Sequence, residues 1–312
     1  MSGPSIVTEQ IVSSRAQGER FWRSTLSDYW ALTKPEVNFL ILTTTGVGFY
    51  LGCRTEARPL SFLTLFNTLL GTLLVASGTG TLNQYIERKF DAQMRRTARR
   101  PAAAGRLQPT AVLTFGIALA AAGTVYLAAV VNLLASVLAT LTLLTYLFLY
   151  TPLKRKTSVC VFVGAFPGAM PPLIGWAAAS GRLNGEAWML YLALFLWQFP
   201  HFMAIAWMYR EDYDRAGYLV LPKGNARIPF VMLETLLPLL ALLAISIVQF
   251  PTRHAAIFYC AGALLNLGFL YFGLEFVLQR SRSAARRLLA ASIVYLPLLF
   301  VLSATLCNRA RT

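Results

Sequence analysis

The chain has 312 residues, a net charge of +15, only 13% charged residues and a mean hydropathy of +0.56. Soluble domains carry about 25% charged residues, so a chain this apolar cannot cover a water-facing surface with polar groups and reads as an integral membrane protein. Its four cysteines (Cys53, Cys160, Cys260, Cys307) form no CxxC pair and it has two histidines, His201 and His254, which excludes a disulfide framework and a zinc or histidine-rich metal centre.

Residues 1–36 are polar and mixed in charge, with no apolar core and cleavage site of a secretory signal. A helix needs about 20 apolar residues to cross a bilayer. Segments 37–53, 60–82, 109–130, 132–152, 159–180, 186–208, 228–250, 254–278 and 288–307 predict nine spans in an all-α, polytopic bundle. With the N-terminus in the cytoplasm, 22 of the 28 lysines and arginines fall on the cytoplasmic side. That asymmetry is the positive-inside signal, and it explains the basic charge without a nucleic-acid partner. The expected organisation is a cytoplasmic segment 1–36, one membrane domain 37–307 and a short tail 308–312.

Three polar clusters fall at the cytoplasmic ends of spans two, four and six. The first is NQYIERKFDAQMRRTARRP, Asn83 to Pro101. On a helix continuing from span two, Asn83, Glu87 and Asp91 recur every four residues and share one face. An amide and two carboxylates make an oxygen-ligand set of the kind that holds Mg²⁺ beside a phosphate. Arg88, Lys89, Arg95, Arg96, Arg99 and Arg100 surround it with charge suited to a polyanion. As a group, these arginines read equally as topology signals.

The second cluster, YTPLKRKT, places Lys154, Arg155 and Lys156 at the membrane surface, where they also serve as a stop signal. In the fifth span, GAFPGAMPPLIGW holds glycines and prolines that break a regular helix. A broken helix in a bilayer needs protein or a cavity to cover the freed backbone, which predicts a cavity there. The third cluster is WQFPHFMAIAWMYREDYDRAG. His201 and Asp212 face the same way if the helix continues. Glu211, Asp212 and Asp214 form a second acidic group, able to clamp a diphosphate from the other side. A lone histidine in an apolar helix reads either as a packing residue or as a ligand.

Together with DYWALTKPEV (Asp28–Val37) and YREDYDRAGYLVLP (Tyr209–Pro222), these stretches resemble the protohaem IX farnesyltransferases of the intramembrane UbiA-type prenyltransferase superfamily. YTPLKR, PPLIGW and WQFPHF, in this order, carry the likeness to the haem branch. The resemblance implies the reaction of haem B, farnesyl diphosphate and water to haem O and diphosphate. It implies Mg²⁺ held by Asn83, Glu87, Asp91 and Asp212, with Asn83, Asp91, Lys154 and Asp212 as the catalytic set. Glutamate at position 87 is one methylene longer than the aspartate of many superfamily members, so it reaches the metal through water or contacts a cation instead. Arg96, Arg100 and Arg155 are then contacts for haem or diphosphate, and His201 a haem ligand or orienting group. The resemblance further implies a haem A synthase acting next, and a bacterial inner membrane, since a mitochondrial enzyme usually carries a longer targeting extension. A prenyltransferase for another acceptor and a polytopic transporter are the competing readings. Transporter sites lie near the bilayer midplane, whereas these acids and arginines sit at helix ends.

Overall fold

The computed structural model describes residues 25–245 and 255–306. The first 24 residues, His254, Cys307 and the tail 308–312 lie outside them. No strand forms among the described residues. Helix α1 is described over 25–32. It is followed by α2 (Pro35–Thr55), α3 (Phe62–Asp91) and α4 (Pro109–Tyr126), the last continuing in π-helical turns to Val131. Next, α5 (Leu133–Leu144) runs through π-helical turns into α6 (Thr151–Leu153). Then come α7 (Cys160–Gly168), α8 (Pro171–Ser180), α9 (Gly185–Met208), α10 (Arg210–Arg215), α11 (Arg227–Ile245), α12 (Ala255–Gln279) and α13 (Arg282–Leu306).

The starts of these helices follow from local chemistry. Pro35 and Pro109 stand in the first turns of α2 and α4, where a missing N–H costs nothing. Ser61 accepts from the Thr64 amide, Asn132 from Ala135 and Asn184 from Ala187, each satisfying an otherwise orphaned donor. Most expected spans and observed helices agree to within a few residues, but α3 runs on to Asp91, past the expected end at 82, and α13 starts at Arg282, ahead of the expected 288. The fifth segment is interrupted at Ala169 and Met170, between α7 and α8, as its glycines and prolines predict. Among the described residues, eight helical units are long and apolar enough to cross a membrane. Helix α2 is as long, at 21 residues, but four threonines and three glycines make it less apolar.

Helix α2 lies against α8, α3 against α4, and α9 against α7, α11 and α13. One apolar cluster gathers Phe49, Leu127, Leu173 and Trp176, and a second gathers Phe199, Met203, Tyr218, Leu239 and Phe276. Large apolar side chains such as Phe62, Leu133, Leu264 and Leu278 point outward, as a lipid-facing surface requires. The α2–α8 contact is close because Gly48 meets the Pro172 carbonyl and Gly175 meets the Thr45 carbonyl. A Cβ at either would overlap backbone.

Candidate active site

Helix α3 does not stop where its apolar stretch ends. It carries Asn83, Glu87 and Asp91 on a continuous helix, and all three are buried. A solvated helix end would expose them, and polar groups removed from water must be paired. Three cations from three parts of the chain do the pairing. Lys34, at the start of α2, places Nζ 2.8 Å from Asn83 Oδ1. Lys154, just past α6, donates to Glu87 Oε1 at 2.9 Å and Oε2 at 3.2 Å. Arg100 Nη1 lies 2.8 Å from Asp91 Oδ2. The Asn83 amide donates to Glu87 Oε2 at 3.0 Å and to Thr151 Oγ1 at 3.3 Å, which joins α3 to α6.

Two buried polar atoms in this cluster have no hydrogen-bond partner. They are Asp91 Oδ1 and the Tyr218 hydroxyl, two of six such side-chain atoms among the described residues. A free carboxylate oxygen on the helix face that also carries an amide and a second carboxylate offers hard-oxygen donors, the chemistry Mg²⁺ prefers. The residues present therefore fit a magnesium ion centred on Asp91. Glu87 is held by Lys154. No three His, Cys, Asp or Glu side chains converge on one point among the described residues.

Lys34 stands outside the expected site residues. It has a left-handed backbone, φ 54° and ψ 61°, that a non-glycine residue adopts only under constraint. Burial, and then the Arg100 charge, push its ammonium down to about 7. Burial also opposes the charge on Lys154, but Glu87, followed by Tyr150 and Tyr146, outweighs it and holds Lys154 well above the ordinary lysine value. Burial first, and then Glu87, push the Tyr218 phenol up, yet the hydroxyl forms no hydrogen bond of acceptable geometry. The sequence signal for Lys34 was slight: a lysine before the proline that opens a span.

The other expected residues divide. Arg96 bonds the Tyr213 hydroxyl at 3.3 Å and lies over the Tyr209 ring, tying the α3 end to α10. Arg155 stacks on Phe90, 4.1 Å from the ring centroid. The Leu219 amide donates to the Lys154 carbonyl at 2.6 Å, so all three clusters meet at one end of the bundle. Asp212 does not share a helix with His201. The helix α9 ends at Met208, Tyr209 breaks it, and Asp212 pairs with Arg215 on α10 at 3.1 Å. Asp214 pairs with Arg227 at 3.1 Å.

His201 faces α13. Its Nδ1 is 2.8 Å from Ser292 Oγ, and its ring stacks on Trp197. Ser292 donates its own proton to the Leu289 carbonyl at 2.6 Å, so His201 Nδ1 is the donor in the first bond and Nε2 keeps its lone pair. Gln198, on the other side of α9, donates to the Ala165 carbonyl at 3.1 Å and fills the space that Gly168 leaves open. The interrupted fifth segment lends Trp176 to an interior cavity of about 120 Å³ shared with Leu190, Asn266 and Tyr295. A larger groove, about 910 Å³, runs along α12 and α13. Neither is lined by the Asn83–Glu87–Asp91 cluster.

A buried acidic helix end ringed by lysine and arginine, in an all-helical membrane bundle, gathers charge of the kind that binds phosphate groups. Residues 40–302 match the model of the UbiA prenyltransferase family, and the chain belongs to that family. It is 46% identical to a protoheme IX farnesyltransferase of Solibacter usitatus, over 88% of this chain and 97% of that one. It is 41% identical to one of Koribacter versatilis, over 89% and 92%. It is 36% identical to the mitochondrial protoheme IX farnesyltransferase of Arabidopsis thaliana, over 86% of this chain and 62% of the plant protein. A UbiA homologue of Archaeoglobus fulgidus, solved with GPP and Mg²⁺, shares the fold with a TM-score of 0.61 at 14% identity, covering 88% of this chain and 99% of the other.

Proposed function

We propose that the chain transfers the farnesyl group of farnesyl diphosphate to a vinyl group of haem B, with addition of water, giving haem O and diphosphate. The observation that carries the phosphate chemistry is the buried Asn83–Glu87–Asp91 face, met by Lys34, Lys154 and Arg100, with Asp91 Oδ1 left unpartnered. Identity above 40% to proteins of that activity over most of both chains supports the acceptor.

The diphosphate is a poor leaving group until its charge is offset. Asn83, Glu87 and Asp91, with Asp212 from the second acidic group, would hold Mg²⁺. When bound, the ion supplies Lewis-acid stabilisation of the departing diphosphate. Lys34, Lys154 and Arg100 would transfer their hydrogen bonds from Asn83, Glu87 and Asp91 to the diphosphate oxygens. As the bond to the allylic carbon breaks, its electron pair stays with diphosphate, and the allylic cation forms a bond with the haem vinyl. Water adds to the remaining carbon of that vinyl and loses a proton. The Tyr146 and Tyr150 rings, 5.2 Å apart beside Lys154, offer π faces to a passing cation and exclude bulk water. Arg96 and Arg155 contact diphosphate or haem propionates, and His201 offers Nε2 to the haem.

Nine spans, counting α2, with a cytoplasmic N-terminus in a bacterial inner membrane put this end of the bundle in the cytoplasm. The product would pass to a haem A synthase. The test is an assay of the protein in lipid with haem B, farnesyl diphosphate and Mg²⁺, products resolved by mass. Haem O that forms and is lost with EDTA supports the reading. Turnover of farnesyl diphosphate with another aromatic acceptor but not haem overturns the acceptor. Diphosphate binding with no turnover of any acceptor overturns the enzyme reading in favour of transport.

A further inference from the structure

Tyr218 lies in the loop after α10, only 3% exposed. Its ring packs edge-on against Phe90 and Tyr213, with centroids 6.1 Å away in each case. Its amide donates to the Tyr213 carbonyl at 3.0 Å, and the next amide, of Leu219, donates to the Lys154 carbonyl at 2.6 Å. The phenol is therefore fixed both to α10 and to the main chain of the lysine that holds Glu87.

A buried hydroxyl normally finds an acceptor, and this one lies near Glu87 without forming a well-shaped hydrogen bond to it. Glu87, the nearby carboxylate, is already engaged by Lys154 and the Asn83 amide. At neutral pH a phenol is protonated, so the buried cluster holds an unused O–H donor on Tyr218 and an unused carboxylate oxygen, Asp91 Oδ1. The two do not satisfy each other. An orphan donor and an orphan acceptor in one buried cluster fit a ligand that accepts hydrogen bonds at one place and carries a cation at another. A magnesium diphosphate does both.

We propose that the Tyr218 hydroxyl donates a hydrogen bond to the diphosphate of the prenyl substrate and so acts as a further catalytic residue. This rests on the diphosphate reading of the cluster and narrows it. When the bond from the allylic carbon to oxygen breaks, the electron pair goes to the diphosphate oxygen. Tyr218 keeps its proton and shares it with the growing negative charge, as a neutral donor that adds nothing to the crowded positive charge of Lys34, Lys154 and Arg100.

Tyr218→Phe tests this cleanly, because it keeps the ring and removes only an oxygen that has no protein partner. Two quantities are measured in lipid: the affinity for inorganic diphosphate with Mg²⁺, and kcat/KM for farnesyl diphosphate. A hydrogen bond to a charged acceptor predicts that both fall by roughly 10- to 100-fold. The KM for haem and the melting temperature without ligands are expected to stay at the wild-type values. Wild-type affinity for magnesium diphosphate in Tyr218→Phe overturns the proposal, as does a lowered melting temperature that accounts for the loss. If the wild type and not the variant binds magnesium diphosphate tightly, yet neither makes haem O, the Tyr218 contact stands and the haem reading fails.

Discussion

Lys34 Nζ and Asn83 Oδ1 meet at 2.8 Å across forty-nine positions of sequence. The contact joins the start of α2 to the polar end of α3. Lys34→Met is expected to lower kcat/KM for farnesyl diphosphate by about 10²-fold, the effect of removing one preorganised charge from a leaving-group site. The KM for haem is expected to stay within a few-fold of wild type. Steady-state kinetics with each substrate varied in turn checks this, and an unchanged kcat/KM removes Lys34 from the site.

The same residue gives a pH signature in the ligand-free, metal-free protein. Its folded value, about 7, lies below the ordinary 10.5, so between those values the unfolded chain binds a proton that the folded protein does not. Stability from this group therefore rises with pH from about 7 to about 10.5 and is flat below 7. Denaturation midpoints across that window are expected to rise in the wild type and to lose this contribution in Lys34→Met. A variant with the same rise as the wild type would show that Lys34 is not the group responsible.

Glu87 and Lys154 form the most enclosed ion pair of the cluster, with side-chain exposures of 7% and 13%. Breaking a buried pair from one side leaves a charge with no partner, while removing both leaves none. Glu87→Gln and Lys154→Met are each expected to destabilise by about 3 kcal/mol. The double variant is expected to be more stable than the two single effects added together. Thermal unfolding in detergent or lipid closes the cycle. Strict additivity would show that the pair does not couple.

The sequence showed the bundle because apolar length and loop charge are properties of single segments, and it showed the Asn83–Glu87–Asp91 face because four-residue spacing is local to a helix. It did not show who pairs with whom. Lys34 and Lys154 reach α3 from segments 49 and 67 positions away, and no periodicity encodes such a meeting. The shared face of His201 and Asp212 depended on an unbroken helix. Tyr209, with φ −110° and ψ 18°, ends it. Of the arginines, Arg100 pairs with an acid whereas Arg96 and Arg155 lie on aromatic rings, a difference set by the neighbours α10 and Phe90 brings.

Asp91 and Asp212 are both expected metal ligands, and the structure ranks them. Asp91 is buried, its Oδ2 paired with Arg100 and its Oδ1 free, while Asp212 pairs with Arg215 on its own short helix. Asp91→Asn is expected to lower kcat/KM for farnesyl diphosphate by at least about 10²-fold even at high Mg²⁺. Asp212→Asn is expected to cost less and to recover as Mg²⁺ is raised, because Asp212 lies on α10, outside the buried face that holds Asp91. Magnesium titrations of both variants decide the matter. Equal, unrescued losses would mean that Asp212 leaves Arg215 and ligates as directly as Asp91.

Two glycines of α2 make opposite predictions from one helix. A Cβ at Gly48 overlaps the Pro172 carbonyl of α8, and no side-chain rotation relieves a clash with backbone. A Cβ at Gly46 meets nothing within 4 Å. Gly48→Ala must push α2 off α8 and is expected to cost about 3 kcal/mol, or to prevent folding, by overpacking. Gly46→Ala adds helix propensity at an open position and is expected to be neutral or to stabilise by up to about 1 kcal/mol. Because α2 carries Lys34 at its first turn, displacing it also moves the ammonium away from Asn83. Gly48→Ala is therefore expected to lose farnesyl diphosphate turnover at temperatures where circular dichroism still reports native helix content, and Gly46→Ala is not. Full activity in folded Gly48→Ala would show that the α2–α8 contact does not set the position of Lys34.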